Sequence, residues 1–339
     1  MSKVTLLGID IAKNVFQLHG VDEKGNPVFK KRLTRTKLVK FIANLPPCTI
    51  VMEACGGANH WCRKFSAMGH ETKQISAQFV KPFVKTNKND RNDAEAICEA
   101  ASRPAMRFVS PKSVWQEDIQ AIHRIRSRLV QERTALVNQI RGLLAEYGIV
   151  VSQGINKIRK ALPDILEDAG NELSDMGRQT FAALYEEILE KDKKVEAFNE
   201  KIEQIFKTNK LCQKVAEVEG VGPITATAIV AAVGEAKVFK NGRHFSAYLG
   251  LVPRQSSSGN KQKLLGISKR GDNYLRGLLV HGARSVVRHI GEKEDGRSRW
   301  IRGVKERSGM NKATVALANK NARIIWALLA KEREYEKAA

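Results

Sequence analysis

Two apolar runs of the sequence each enclose a single carboxylate, and they constrain the fold more than any other feature. Residues 4–11 read VTLLGIDI and residues 48–57 read CTIVMEACGG. Both are rich in the aliphatic and β-branched side chains that favour strands. A charge inside such a run is expensive to bury unless something compensates it. Asp10 has only Lys13 nearby, and no Lys or Arg lies within two residues of Glu53. Two strand-borne acids of one sheet point to a cation held between them. Hard divalent cations such as Mg²⁺ take carboxylate oxygens and keep waters that phosphate oxygens can replace.

The surrounding pattern supplies the sheet. VFQLHGV (15–21) and PVFKKRL (27–33) read as strands, joined through the turn dipeptide Gly25-Asn26. TKLVKFIANL has helical spacing with Thr36 as its expected N-cap, and residues 59–69 read as a helix closed by Gly69. A strand near 72–76 and a helix near 78–84 follow. Alternating strands and helices predict an α/β domain over residues 1–110.

KTNKNDRNDAEAI (85–97) adds Asp90 and Asp93, three apart at an expected helix start and so on one face. They could complete a four-acid site with Asp10 and Glu53. Equally, they could cap the helix and favour its dipole. Four acids around two metal ions, spaced ~3.5–4 Å, suit phosphoryl transfer. Lys88 and Arg91 beside them suit a phosphate backbone.

Charge sets the partner class. The 339 residues carry a formal net charge of +22, which points to a polyanion. The excess is uneven. Residues 24–40 hold seven bases and no acid, 164–206 balance at −7, and 237–310 at +12. Basic ends around an acidic middle predict separate modules, with the ends facing nucleic acid. No run approaches the ~20 apolar residues of a membrane span, and the N-terminus lacks the pattern of a secretory signal. Five scattered cysteines predict a reduced, cytoplasmic chain.

The middle, 111–210, is helical. Ile122, Leu129, Leu136 and Leu143 recur every seven residues, as do Phe181, Ile188, Val195 and Ile202, with Lys191 a polar break. These heptads predict an antiparallel coiled-coil hairpin or a dimer seam. The third module, 211–339, is expected to be mostly helical. Its Gly220-Val221-Gly222-Pro223 turn fits a helix-hairpin-helix, in which glycine amides hold a phosphate. A Ser/Gly/Lys-rich loop at 253–271 carries Ser256, Ser257 and Ser258, surrounded by Arg254, Lys261, Lys263, Lys269 and Arg270. A serine hydroxyl in a basic setting can attack a phosphodiester, though a Ser/Gly linker has the same composition.

GIDIAK, MEACGG, KNDRNDAEAI, GVGP and GLVPRQSSSG…GISKRGD, in that order, resemble the insertion-sequence one-ten family of transposases, relatives of the Piv-type invertases. The resemblance spans essentially the whole chain. It implies a RuvC-like, ribonuclease-H-like N-terminal domain whose DEDD tetrad binds Mg²⁺, here Asp10, Glu53, Asp90 and Asp93. It implies a helical coiled-coil region and a C-terminal domain with a nucleophilic serine, here Ser258, with Ser257 second. It further implies a serine–DNA intermediate, and a structured guide RNA (a bridge RNA) that pairs with donor and target DNA. A dimer or tetramer with a composite site, acting in the prokaryotic cytoplasm beside the nucleoid, is also implied. Asn260 stands where many relatives have a second glycine. The alternatives are a junction-resolving nuclease that uses water and a non-enzymatic nucleic-acid-binding assembly protein.

Overall fold

Strand pairing begins at the N-terminus, where a turn at residues 22–26 joins two strands of a meander. β1 (Leu6–Ile11), β2 (Val15–Val21) and β3 (Pro27–Thr34) pair antiparallel. The Asp22 carboxylate accepts from the N–H groups of Lys24 (3.0 Å) and Asn26 (2.8 Å), and Gly25 supplies the left-handed residue at φ +82°. A computed structural model of the chain describes residues 3–84, 90–259, 261–331 and 334–335, without the side chains of Asp90 and Arg91.

β3 runs straight into α1 (Arg35–Ala43), so the N-cap is Thr34, not Thr36, and its side chain makes no capping bond. β4 (Thr49–Glu53), α2 (Ala58–Ser66) and β5 (Glu71–Ile75) follow. Gly69, at φ +89°, lets the chain turn after α2. The expected helix at 78–84 is instead α3 (Ala77–Val80) and a 3₁₀ turn, Lys81–Phe83. Pro82 has no N–H to continue an α-helix. α4 (Asp90–Ala101) and β6 (Phe108–Val109) complete a mixed sheet of order β3-β2-β1-β4-β5-β6, with β1, β4 and β5 parallel.

Side-chain alternation divides the sheet into two faces. Leu7, Ile9, Ile50 and Met52 pack with Phe16, Leu38, Ile42, Trp61 and Phe65 under α1 and α2. Val51 and Ile75 pack with Val80, Ala96, Ile97 and Ala100 under α3 and α4. Gly8 sets how closely α4 approaches. A Cβ there would lie 2.5 Å from the Ala94 carbonyl oxygen and 2.8 Å from Cys98 Sγ.

The chain divides into two compact units, residues 1–116 with 233–240, and 117–232 with 241–339. α5 (Val114–Ala145) opens on a capping box in which Ser113 Oγ accepts from Gln116 N–H (3.2 Å) and Gln116 Oε1 from Ser113 N–H (3.0 Å). α6 (Ile155–Glu167) and α7 (Asp175–Thr208) come next. In the second unit α5 and α7 run antiparallel within one chain. Arg133 bonds Asp192 (2.6 Å), Arg126 bonds Asn199 (2.6 Å), and Lys191, the polar break, reaches Glu132 at 3.4 Å. Phe181, Ile188, Val195 and Ile202 are buried as the heptad requires. On α5 the seam drifts: Leu143 is exposed and Leu144 buried. A straight helix of 3.6 residues per turn does not hold a 3.5-residue repeat.

α8 (Lys210–Ala216), α9 (Pro223–Val233), α10 (Gly242–Tyr248), a hairpin of β7 (Pro253–Gln255) and β8 (Leu264–Ile267), α11 (Asn273–Arg288), α12 (Gly296–Ser308) and α13 (Met310–Lys331) complete the fold. α13 is central, packed by α8, α10, α11 and α12. Among the described residues no helix is long and apolar enough to cross a membrane.

His123 of α5 ties α9 and α11 together. The Thr227 hydroxyl donates to the Pro223 carbonyl (2.7 Å) and so accepts from His123 Nε2–H (3.0 Å), while the Tyr274 hydroxyl lies 3.0 Å from Nδ1. A neutral ring, with Nδ1 accepting from the Tyr274 hydroxyl, satisfies these groups. Burial, then the charge of Arg126, holds its pKa down at about 4.

Gly8→Ala is expected to force α4 from β1 and destabilise the N-terminal unit by ~1–3 kcal/mol; an unchanged denaturation midpoint contradicts it. Because His123 resists protonation only when folded, its contribution is present above the unfolded pKa near 6.5 and is lost as pH falls toward about 4. Denaturation between pH 7 and 4.5 is therefore expected to show a slope that His123→Gln reduces; identical slopes contradict it.

Candidate functional site

The parallel register of β1 and β4 determines where the two strand acids stand. Gly8 pairs with Val51 and Ile9 with Met52, so the next step sets Asp10 beside Glu53, the last residue of β4. Alternation turns both toward the α4 face, the face of Gly8 and Val51. Both are half-buried. Their fields converge on Cys55: burial pushes its thiol pKa up, and the charges of Glu53 and Asp10 push it further.

Asp93 lies on α4, half-buried, one residue before the Ala94 carbonyl that meets Gly8. The side chains of Asp90 and Arg91, and Lys88 altogether, lie outside the described residues. Among the described residues no three His, Cys, Asp or Glu side chains are grouped closely enough to hold a metal ion. The Asp10–Glu53 pair alone supplies hard oxygen donors on adjacent strands. That chemistry fits a divalent cation such as Mg²⁺ and does not suit a softer metal.

The 253–271 segment is not the irregular loop expected from its composition. β7 and β8 form an antiparallel hairpin. Ser256 N–H donates to the Lys263 carbonyl (2.9 Å), and Ser258 bridges Lys261, whose N–H donates to the Ser258 carbonyl (3.2 Å). Gly259 takes the first turn position at φ +56°; Asn260 lies outside the described residues. The turn thus presents Ser258 at the hairpin tip, exposed, while Ser257 accepts from the Gln255 side chain at 2.9 Å. Arg254, Lys261, Lys263, Lys269 and Arg270 are all exposed around it.

The base of the hairpin is held by two glycines. A Cβ at Gly250 would lie 2.1 Å from the Arg270 carbonyl oxygen, and one at Gly271 1.9 Å from that of Tyr248. Lys269 between them adopts φ +55°, unusual for a residue with a Cβ. Its N–H donates to the Gly250 carbonyl at 3.1 Å.

Gly220 and Gly222 have different surroundings. Gly220, at φ +87°, sits against α11, where a Cβ on Gly282 would lie 1.8 Å from the Gly220 carbonyl oxygen. Gly222 is exposed and its carbonyl accepts from Ala226 N–H at 2.9 Å. The turn is anchored by Arg297, only 7% exposed, which bonds the Glu219 carbonyl (3.2 Å) and Asn321 (3.0 Å). Neither this anchor nor the place of Cys55 beside two acids follows from the spacing of residues in sequence.

Comparisons with known proteins find relatives along the whole chain. Residues 212–300 match a family model described as "Transposase IS116/IS110/IS902 family", and residues 7–149 match one described as "Transposase", of the DEDD type. The chain is 51% identical over 335 residues to the transposase for insertion sequence element IS1111A of Coxiella burnetii, covering 99% of this chain and 92% of that one. It is 41% identical over 327 residues to the transposase for insertion sequence element IS1328 of Yersinia enterocolitica, covering 96% and 97%.

The convergence of Asp10 and Glu53 is testable through Cys55, the exposed one of the five free cysteines. Removing both charges by Asp10→Asn with Glu53→Gln lowers the thiol pKa, because a thiolate no longer faces two anions. Alkylation of Cys55 at pH 8, followed by mass spectrometry, is expected to speed up several-fold; an unchanged rate contradicts the placement.

Proposed function

The chain belongs to the IS116/IS110/IS902 family of transposases, enzymes that cut and rejoin DNA, and on that premise we propose that Asp10, Glu53, Asp90, Asp93 and Ser258 carry the chemistry. The observation that supports this most is the placement of Asp10 and Glu53 at adjoining register positions on the α4 side of the sheet. The tetrad would hold Mg²⁺, which when bound supplies positive charge to the phosphate undergoing substitution.

The other residues divide the remaining work. Ser258 Oγ forms a bond to phosphorus while the bond from phosphorus to a sugar oxygen breaks. The serine proton is given up to water and the departing sugar oxygen takes one. A sugar hydroxyl of the incoming strand then displaces Ser258 and restores a phosphodiester. Arg254, Lys261, Lys263, Lys269 and Arg270 offset the charge that builds on the phosphate oxygens. Lys88 and Arg91 bind the backbone beside the acids, and Gly220 and Gly222 add contacts at the turn.

In this reading residues 1–110 form the RuvC-like catalytic domain, 111–210 the coiled-coil region and 211–339 the serine-bearing domain. Acids and serine belong to different units, and the reading requires them to act on one phosphodiester, in a homo-oligomer. Guidance by a structured RNA rests on the sequence resemblance and on the +12 balance of residues 237–310.

A nicked suicide DNA tests the reading. The wild-type protein is expected to form a covalent protein–DNA adduct, and Ser258→Ala none. Asp10→Asn is expected to lose at least about 10³-fold in recombination. An adduct that survives Ser258→Ala moves the nucleophile elsewhere, with Ser257 the first place to look. Cleavage without any adduct, surviving replacement of all three serines, identifies a nuclease that uses water.

A further inference from the structure

The second unit carries a groove of about 1330 Å³ that the chemistry above does not use. β8 forms part of its lining through Leu264, which is 67% exposed, and α12 and α13 contribute Trp300 and Trp326. Lys312, Lys320 and Arg323 of α13 also line it, and among the described residues no acidic one does. Lys320 Nζ lies 4.5 Å from the centre of the Trp300 ring. Its pKa is lowered, first by burial and then by Arg297 and Arg323, so cations crowd around this groove.

Aromatic faces alone would suit a hydrophobic peptide or a second copy of the chain. Crowded cations would suit any polyanion. Only an unpaired nucleic-acid strand offers both free base faces and phosphates, since a duplex keeps its base faces stacked inside. A reaction that cuts DNA and rejoins it to a new partner has to take a strand out of its old pairing, and the groove is continuous with the hairpin whose tip carries Ser258.

We propose that this groove holds unpaired DNA beside the serine hairpin, with bases against Trp300 and Trp326 and phosphates against Lys312, Lys320 and Arg323. Its role as holder of the cut strand rests on the serine chemistry proposed above; the binding itself is measured without cleavage.

The test is fluorescence anisotropy of a labelled oligothymidylate with the full-length protein, in a chelator and at fixed salt. A duplex and an oligouridylate of equal length serve as comparisons. Trp300→Ala with Trp326→Ala is expected to weaken oligothymidylate binding by about 10-fold per tryptophan while duplex affinity stays within about twofold. Lys312→Gln with Arg323→Gln, at exposed positions that leave the fold intact, is expected to weaken it and to reduce the salt slope by about two. This second pair decides the matter if the tryptophan variant unfolds. Wild-type binding by the substituted proteins overturns the proposal, and so does an equal loss on duplex. Oligouridylate lost with the tryptophans while oligothymidylate is not makes the occupant RNA and overturns the assignment to DNA. If Ser258→Ala still forms the adduct while the groove binds as described, the serine reading falls and the groove stands.

Discussion

Backbone pairing between β1 and β4 fixes Asp10 and Glu53 at neighbouring positions, so their mutual repulsion is built into the sheet. Like charges side by side on adjacent strands are destabilising. Moving one away would require a register slip, which would turn Leu7, Ile9, Ile50 and Met52 out of their core. The packing of the hydrophobic face thereby enforces the electrostatic conflict on the other face. In the proposed reading a cation at the pair would offset it, and would draw a phosphate to where a family that cuts DNA could use it.

α4 is held over the same face by a contact that excludes a side chain. Gly8 removes the Cβ that would meet the Ala94 carbonyl, and Cys98 donates to the His19 carbonyl at 3.1 Å from the next turn. Asp93 is thereby carried on the helix that covers β1. The second unit is held together by similar means. Gly250 and Gly271 allow two turns to touch at the base of the serine hairpin, and Gly220 and Gly282 allow another turn to touch α11. His123 and Arg297 then tie those elements to α5 and α13 through buried hydrogen bonds. In both units close backbone approach comes first, and the polar side chains that remain are aimed by it.

Much of the N-terminal sheet was legible because alternation and turn chemistry are local. Residues 15–21 and 27–33 read as strands from their side chains, and Gly25-Asn26 announced the turn between them. The serine hairpin was missed although Gly259-Asn260 is the same kind of signal. Its strands are short and exposed, and β8 places Leu264 and Leu265 both outside, so no alternation marked them. Thr36 failed as an N-cap because β3 pairing continues through Thr34 and decides where the helix can start. Leu143 failed because a heptad drawn on paper does not drift, whereas a helix does. The tryptophan groove was invisible for a different reason. Trp300 and Trp326 belong to different helices, and only tertiary packing sets both along one groove.

The account depends most directly on whether Asp10 and Glu53 share a cation at the DNA. Anomalous diffraction from crystals of the full-length protein with DNA and Mn²⁺ in place of Mg²⁺ addresses that question. The account predicts an anomalous peak within about 2.0–2.3 Å of a carboxylate oxygen from each residue, adjoining a phosphate. Manganese bound elsewhere, with Asp10 and Glu53 contacting neither metal nor phosphate, would contradict it.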